Sequence, residues 1–149
     1  MAMTMTGTVD LPASRETAWA KLNDPEVLRV CIPGCQSLEG SIDEGYRAEV
    51  KLKIGPVNAK FRGKVSLTDL DPPNGYRISG EGEGGIAGFA KGGATVRLAP
   101  IAEGTTLTYE VEAHVGGKIA QLGARLINGV AKKLADQFFA KFAEAVKGG

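Results

Sequence analysis

The polarity of this sequence changes period once, and that change limits the possible folds more than any other feature. From Cys35 to Gly116, apolar and polar residues alternate, which is the period of a β-strand with one buried face. Short turns such as Gly55-Pro56 and Asn74-Gly75 separate the alternating segments, so they predict an antiparallel meander. From Lys118 to Lys147, apolar residues recur every three or four positions without a proline, which predicts one long helix.

The N-terminal part of the chain adds one strand and two short helices. Met3 to Leu11 alternates like a strand, Ser14 is a suitable N-cap for a helix through Asn23, and Pro25 can open a second helix that ends near Val30. This element order predicts a single α+β domain over residues 1–149, with helices packed on one face of a sheet of six or seven strands. With 149 residues and 43% hydrophobic residues, the chain can bury one core and is not disordered.

Glycine is unusually frequent, with 21 residues in the chain. The parity set by Tyr76 and Ile78 in one strand, and by Val96 and Leu98 in the next, places only small residues on the inward side of both. Either the long helix approaches this surface closely or a cavity remains, and glycines also allow a sheet to bend. We interpret the pattern as a cavity, with bending as a compatible alternative. The small inward residues are Gly80, Gly82, Gly84, Ala90, Gly92 and Ala94.

Several functional classes are disfavoured by composition. A net charge of +1 argues against a nucleic-acid partner. Two cysteines and one histidine cannot supply the four ligands of a structural zinc site, so we expect no metal. The sequence has neither a signal-like start nor an apolar run of membrane-spanning length, which predicts a cytoplasmic protein. Gly80 to Gly85 matches the glycine spacing of dinucleotide-binding loops, but a strand follows instead of a helix, so we reject that interpretation.

No set of side chains predicts catalysis. Alternation places His114 on the outer face with Glu110 and Glu112, away from the turn that carries Cys31 and Cys35. A cysteine nucleophile would need a nearby base, so we interpret both cysteines as reduced thiols that pack a turn. The pair Glu81 and Glu83 also faces outward and is interpreted as solvated charge.

Positive charge is concentrated in one predicted hairpin. Residues 45–64 contain six basic side chains and one acidic side chain. This face is predicted to contact anionic lipid or an acidic partner, and the alternative is a solvated strand face that discourages edge pairing. The predicted membrane or partner surface consists of Lys51, Lys53, Lys60, Arg62 and Lys64.

Five segments together resemble the CoxG family of carbon monoxide dehydrogenase proteins. They are Cys31–Cys35 (CIPGC), Ile54–Pro56 (IGP), Gly85–Phe89 (GIAGF), Gly116–Gly123 (GGKIAQLG) and Ala131–Phe139 (AKKLADQFF). The resemblance covers the chain from about Met5 to Val146, and it is the order and spacing of the segments that make it specific.

The resemblance implies a START-like (SRPBCC) helix-grip fold, in which a curved antiparallel sheet wraps a long C-terminal helix around an apolar cavity. It further implies an accessory protein of molybdenum-containing CO dehydrogenases or related hydroxylases. Such a protein places the enzyme at the inner face of the cytoplasmic membrane, or brings it a lipophilic electron acceptor such as a quinone, and holds no tightly bound cofactor. Many family members continue into a tail linked to membrane attachment, whereas this sequence ends at Gly149, so we do not expect anchoring by a tail.

Three functions follow from these observations. The first is a non-catalytic carrier or tether for a quinone or lipid, with Tyr109 as the polar group that contacts the ligand. The second is an enzyme of the same superfamily, such as a cyclase or hydratase, and the third is an assembly factor that acts through its surface. The predicted cavity residues are Val50, Leu52, Phe61, Val65, Gly82, Gly84, Phe89, Ala94, Val96, Tyr109, Val111, Leu122, Leu126, Val130 and Leu134.

Overall fold

Seven antiparallel strands form one open sheet with the spatial order β1-β7-β6-β5-β4-β3-β2 in a computed structural model that describes residues 1–147. The sheet and the long C-terminal helix confirm the predicted α+β helix-grip architecture. The strands are β1 (Ala2–Leu11), β2 (Cys35–Ser41), β3 (Gly45–Ile54), β4 (Val57–Asp71), β5 (Gly75–Glu83), β6 (Phe89–Ile101) and β7 (Gly104–Gly116).

Two short helices, α1 (Arg15–Leu22) and α2 (Pro25–Cys31), connect the two edge strands β1 and β2. The Ser14 side chain caps α1 by accepting a hydrogen bond from the Thr17 N–H at 3.2 Å. Asp24 caps α2 by accepting from the Glu26 N–H at 2.9 Å, and Pro25 stands at the start of that helix. Both helix starts were therefore predictable from capping chemistry alone.

The C-terminal helix is shorter than predicted. Residues Lys118–Leu122 form a 3-10 turn, and the long helix α3 covers Ala124–Ala145. Gly123, between them, has a φ of +94°, which no helical residue adopts, so the chain turns there before α3 begins. At 22 residues, α3 is about 33 Å long instead of the predicted 45 Å.

The strand predicted from Tyr76 to Ile86 also ends early. β5 stops at Glu83, and Gly85–Ala87 forms a second 3-10 turn before β6. Gly85 and Gly88 have φ values of +63° and +119°, so the backbone around this turn uses conformations that suit glycine.

The buried core is divided into two clusters along α3. The first cluster lies where α1 and the C-terminal half of α3 meet the sheet, and Phe142 and Leu107 are at its centre. The second lies at the start of α3, around Ile119, Ile127 and the β3–β4 turn. Because the two clusters are separate, the stretch of sheet between them is not filled by large side chains.

Candidate ligand-binding cavity

The inner face of the sheet has a floor of small residues between the two core clusters. In one row, Gly80 of β5 pairs with Gly92 of β6, which in turn pairs with Ala113 of β7. In the next row, Gly63 and Gly82 are paired partners on β4 and β5. The floor therefore extends over five strands. Its members are Ala48, Gly63, Gly80, Gly82, Ala90, Gly92, Ala94 and Ala113.

The space above the middle of this floor is open. A Cβ added at Gly82 would meet only the backbone oxygen of Arg62, at 3.8 Å, and one added at Gly63 would meet only that of Glu81, at 3.4 Å. Apart from chain neighbours, no side chain within residues 1–147 lies within 4 Å of either position. The helix does not descend onto the glycines, so the small residues leave room between sheet and helix.

Apolar side chains stand around this space. Val50, Val65 and Leu134 are half-buried and belong to neither core cluster. Leu52, Phe61, Leu122 and Val130 pack at the edge of the second cluster. Val96, Tyr109 and Val111 belong to the first cluster or pack against it, and the remaining predicted positions Gly82, Gly84 and Ala94 share the inward parity of β5 and β6.

Two tyrosines provide the polar groups nearest to this part of the sheet. Tyr109 is 8% exposed and its ring stacks on Phe139, with 5.3 Å between ring centroids. Tyr76 lies in the same cross-strand row, on the other side of Val96, and packs edge-on against Trp19. Neither hydroxyl forms a hydrogen bond with another residue of the described chain. Burial raises the pKa of Tyr76, so its hydroxyl stays protonated and able to donate.

Two of the predicted cavity residues lie elsewhere. The prediction for Phe89 is wrong, because β6 turns Ala90 inward and leaves Phe89 with Lys91 on the outer side, where it is 49% exposed. Leu126 is 37% exposed and lies against Gly55 of the β3–β4 turn, so it stands at the rim and not in the wall. Tyr76 was not among the predicted cavity residues, since its parity was used only to orient the strand.

The predicted basic surface lies on the outer face of the β3–β4 hairpin, where Lys51 and Lys60 are directly paired partners. Glu49 neutralises part of it, with Lys60 at 3.1 Å and Arg62 at 3.4 Å. Lys53 and Lys64 are exposed on the same face. A groove of about 1190 Å³ crosses this outer face, and its walls are charged side chains of both signs instead of apolar groups.

The remaining reactive side chains are dispersed. Cys31 is fully buried and Cys35 is half-buried, and burial raises the pKa of both thiols, which disfavours the reactive thiolate. His114 is exposed on the outer face, opposite Lys91. Within residues 1–147, no cluster of three His, Cys, Asp or Glu side chains could hold a metal ion. None of the helices in this range has the length and hydropathy needed to cross a membrane.

Comparison with solved structures identifies relatives of the whole domain. A conserved protein from Geobacillus kaustophilus is 36% identical, with a TM-score of 0.88, and the match covers 97% of this chain and 95% of that one. A START superfamily protein from Mycobacterium smegmatis has 17% identity and a TM-score of 0.69, over 96% of both chains. The Zhui aromatase/cyclase from Streptomyces sp. R1128 has 10% identity and a TM-score of 0.69, over 98% of this chain and 94% of that one.

The last two likenesses establish the START-like fold alone. No curated protein matches the sequence significantly. The family model for CoxG, a component of carbon monoxide dehydrogenase, matches residues 7–147, nearly the whole described chain. The chain therefore belongs to the carbon monoxide dehydrogenase CoxG family.

Proposed function

We propose that this protein is a non-catalytic carrier that holds a lipophilic molecule, a quinone or a lipid, between the glycine-alanine floor and α3. The observation that carries the proposal is the open space above Gly63 and Gly82. A sheet of this size normally packs at high density against its helix, so an unfilled apolar interior calls for an occupant.

The ligand would bind by desolvation with a small number of polar contacts. Val50, Val65 and Leu134 supply apolar surface that no protein side chain covers fully. The phenols of Tyr76 and Tyr109 are donors that could bind a carbonyl oxygen, which a quinone offers on both sides of its ring. No bond is made or broken in this role, which agrees with the lack of an inward-facing acid–base pair among the sequence candidates.

The partner and the location are the finer part of the proposal. Membership in the CoxG family supports service to a molybdenum-containing CO dehydrogenase or a related hydroxylase at the cytoplasmic membrane. Such an enzyme must pass electrons to an acceptor, and a lipophilic acceptor needs a protein to shield it while it leaves the bilayer. The carrier role would supply that shielding.

The proposal is tested by titrating purified, delipidated protein with a soluble quinone analogue and following the change in tyrosine and tryptophan fluorescence. We expect saturable binding that is strongly weakened in Gly82→Ile and Ala94→Leu, since both side chains would occupy the cavity. Glu81→Ile is the matched control, because residue 81 lies on the same strand but faces outward and is exposed. Normal binding by both cavity variants would place the ligand elsewhere and refute the proposal.

A second candidate is an assembly factor that acts through its surface. The observation that favours it is the charged outer groove of about 1190 Å³. It predicts that reversing Lys60, Arg62 and Lys64 abolishes binding to the partner enzyme, while Gly82→Ile leaves that binding intact and no ligand is found. Loss of enzyme service in Gly82→Ile with unchanged complex formation would favour the carrier instead.

A further inference from the structure

We propose that one end of this molecule docks on an anionic lipid bilayer, with the side chain of Ile86 inserted among the lipids. The docking end, called here the basic end, consists of residues 50–62, 83–92 and 113–128. It contains the β3–β4 turn, the Gly85–Ala87 turn and the first turns after β7. This inference deepens the membrane part of the proposed function and does not depend on ligand carriage.

Charge is divided unequally between this end and the rest of the chain. The basic end has seven Lys and Arg side chains against one acidic side chain, Glu83. The rest of the chain has eleven basic and sixteen acidic side chains, so it carries a net negative charge. An anionic surface would attract the basic end and repel the opposite one, which orients the molecule before contact. The seven basic residues are Lys51, Lys53, Lys60, Arg62, Lys91, Lys118 and Arg125.

Ile86 is the most exposed large hydrophobic residue of the described chain, at 91%. It is held outward by a rigid turn: the Gly84 N–H donates to the Gly88 carbonyl at 2.8 Å, and the Gly88 N–H donates to the Gly85 carbonyl at 3.1 Å. The neighbouring Ala87 is buried and fixes the turn to the second core cluster. Full exposure of a β-branched apolar side chain on an ordered turn has no benefit for folding, so it points to a function at the surface.

Two more exposed apolar side chains stand at the same end. Phe89 and Leu126 are 49% and 37% exposed, so three of the six exposed large hydrophobics of the described chain belong to the basic end. They are separated side chains among basic ones, and they do not form a flat apolar patch. A protein partner would require a complementary contiguous surface, whereas a bilayer accepts single apolar side chains next to basic residues. The combination therefore favours a lipid surface.

Docking in this orientation would bring the proposed cavity to the lipids. Leu126 contacts the β3–β4 turn at Gly55, and Leu122, a predicted cavity residue, approaches the same turn. A lipophilic molecule that leaves the interior at this end would then enter the bilayer without crossing water.

The test is vesicle co-sedimentation of the full chain, using phosphatidylcholine vesicles with and without phosphatidylglycerol. We expect binding only to the anionic vesicles. Ile86→Ser should weaken it roughly tenfold, and Lys118→Gln with Arg125→Gln about twenty-fivefold, at about fivefold for each charge removed. The matched controls are Ile101→Ser and the pair Arg97→Gln with Lys141→Gln, which lie outside the basic end and should bind like the wild type.

Circular dichroism of each variant checks that the fold is intact. Absence of wild-type binding to anionic vesicles would overturn the proposal, and so would equal losses in the basic-end variants and their controls. Binding to the partner enzyme, but not to vesicles, that is lost in the Lys118 and Arg125 pair would identify a protein interface and also overturn it. Vesicle binding by a protein that takes up no quinone or lipid would retain this inference and refute the carrier function.

Discussion

Replacing Gly82 by isoleucine should stabilise the delipidated protein, although it adds a large side chain to the centre of the sheet. The prediction follows from what surrounds Gly82: an added Cβ would lie at ordinary contact distance from one backbone oxygen and near no side chain. Its φ lies outside the positive range that only glycine tolerates well, so the new side chain would not strain the backbone.

The magnitude has two parts. Glycine within a strand costs roughly 0.5–1 kcal/mol relative to alanine, and that cost is removed by the substitution. Burial of an isoleucine side chain contributes about 1.5–3 kcal/mol when it is complete, and less in a cavity that water can reach. We therefore expect the free energy of unfolding to rise by about 1–3 kcal/mol, which for a domain of this size raises Tm by roughly 2–12 °C.

The assay is urea and thermal unfolding of delipidated wild type, Gly82→Ile and the outward control Glu81→Ile. The control reports the effect of a β-branched residue on the same strand without entry into the cavity. If the interior were already filled, overpacking would cost typically 1–3 kcal/mol, and Gly82→Ile would be less stable than wild type. A destabilised Gly82→Ile beside an unaffected control would refute the cavity.

Three further predictions use the same unfolding assays. Gly123→Ala should lose about 1–3 kcal/mol because of its φ of +94°, whereas Gly129→Ala, within α3, should gain roughly 0.5–1 kcal/mol; equal effects would contradict the proposed helix break. Glu49→Gln should change stability by less than about 1 kcal/mol, since its ion pairs are solvated, and a larger loss would show that they hold the hairpin together. The raised pKa of Tyr76 stabilises the fold below the unfolded value of 10.0, and this stability should be lost as pH rises above it. Tyr76→Phe should reduce that alkaline loss, and an unchanged pH profile would contradict burial of the phenol.

Much of the fold could be predicted because its signals are local. Strand alternation, the caps at Ser14 and Asp24, and the glycine run of β5 and β6 are each encoded within a few residues of sequence. The break at Gly123 was missed because apolar spacing continues through it, and a period cannot report a single positive φ.

The site was less accessible to sequence reasoning because it depends on register between strands. Gly63 pairs with Gly82, and Ala113 pairs with Gly92, and these partners come from segments far apart in the chain. Without the pairing, Ala48, Gly63 and Ala113 look like ordinary small residues in three separate strands. Phe89 was misplaced for a related reason, since a residue at the first position of a strand follows the parity of the strand and not that of the turn before it.

The measurement that tests the carrier function most directly is mass spectrometry of an organic extract from the natively purified full chain, followed by addition of quinones to the extracted protein. The proposed function predicts a quinone or lipid in stoichiometric amount, and its loss from Gly82→Ile but not from Glu81→Ile. An empty extract, together with no thermal shift on addition of quinones, would contradict it.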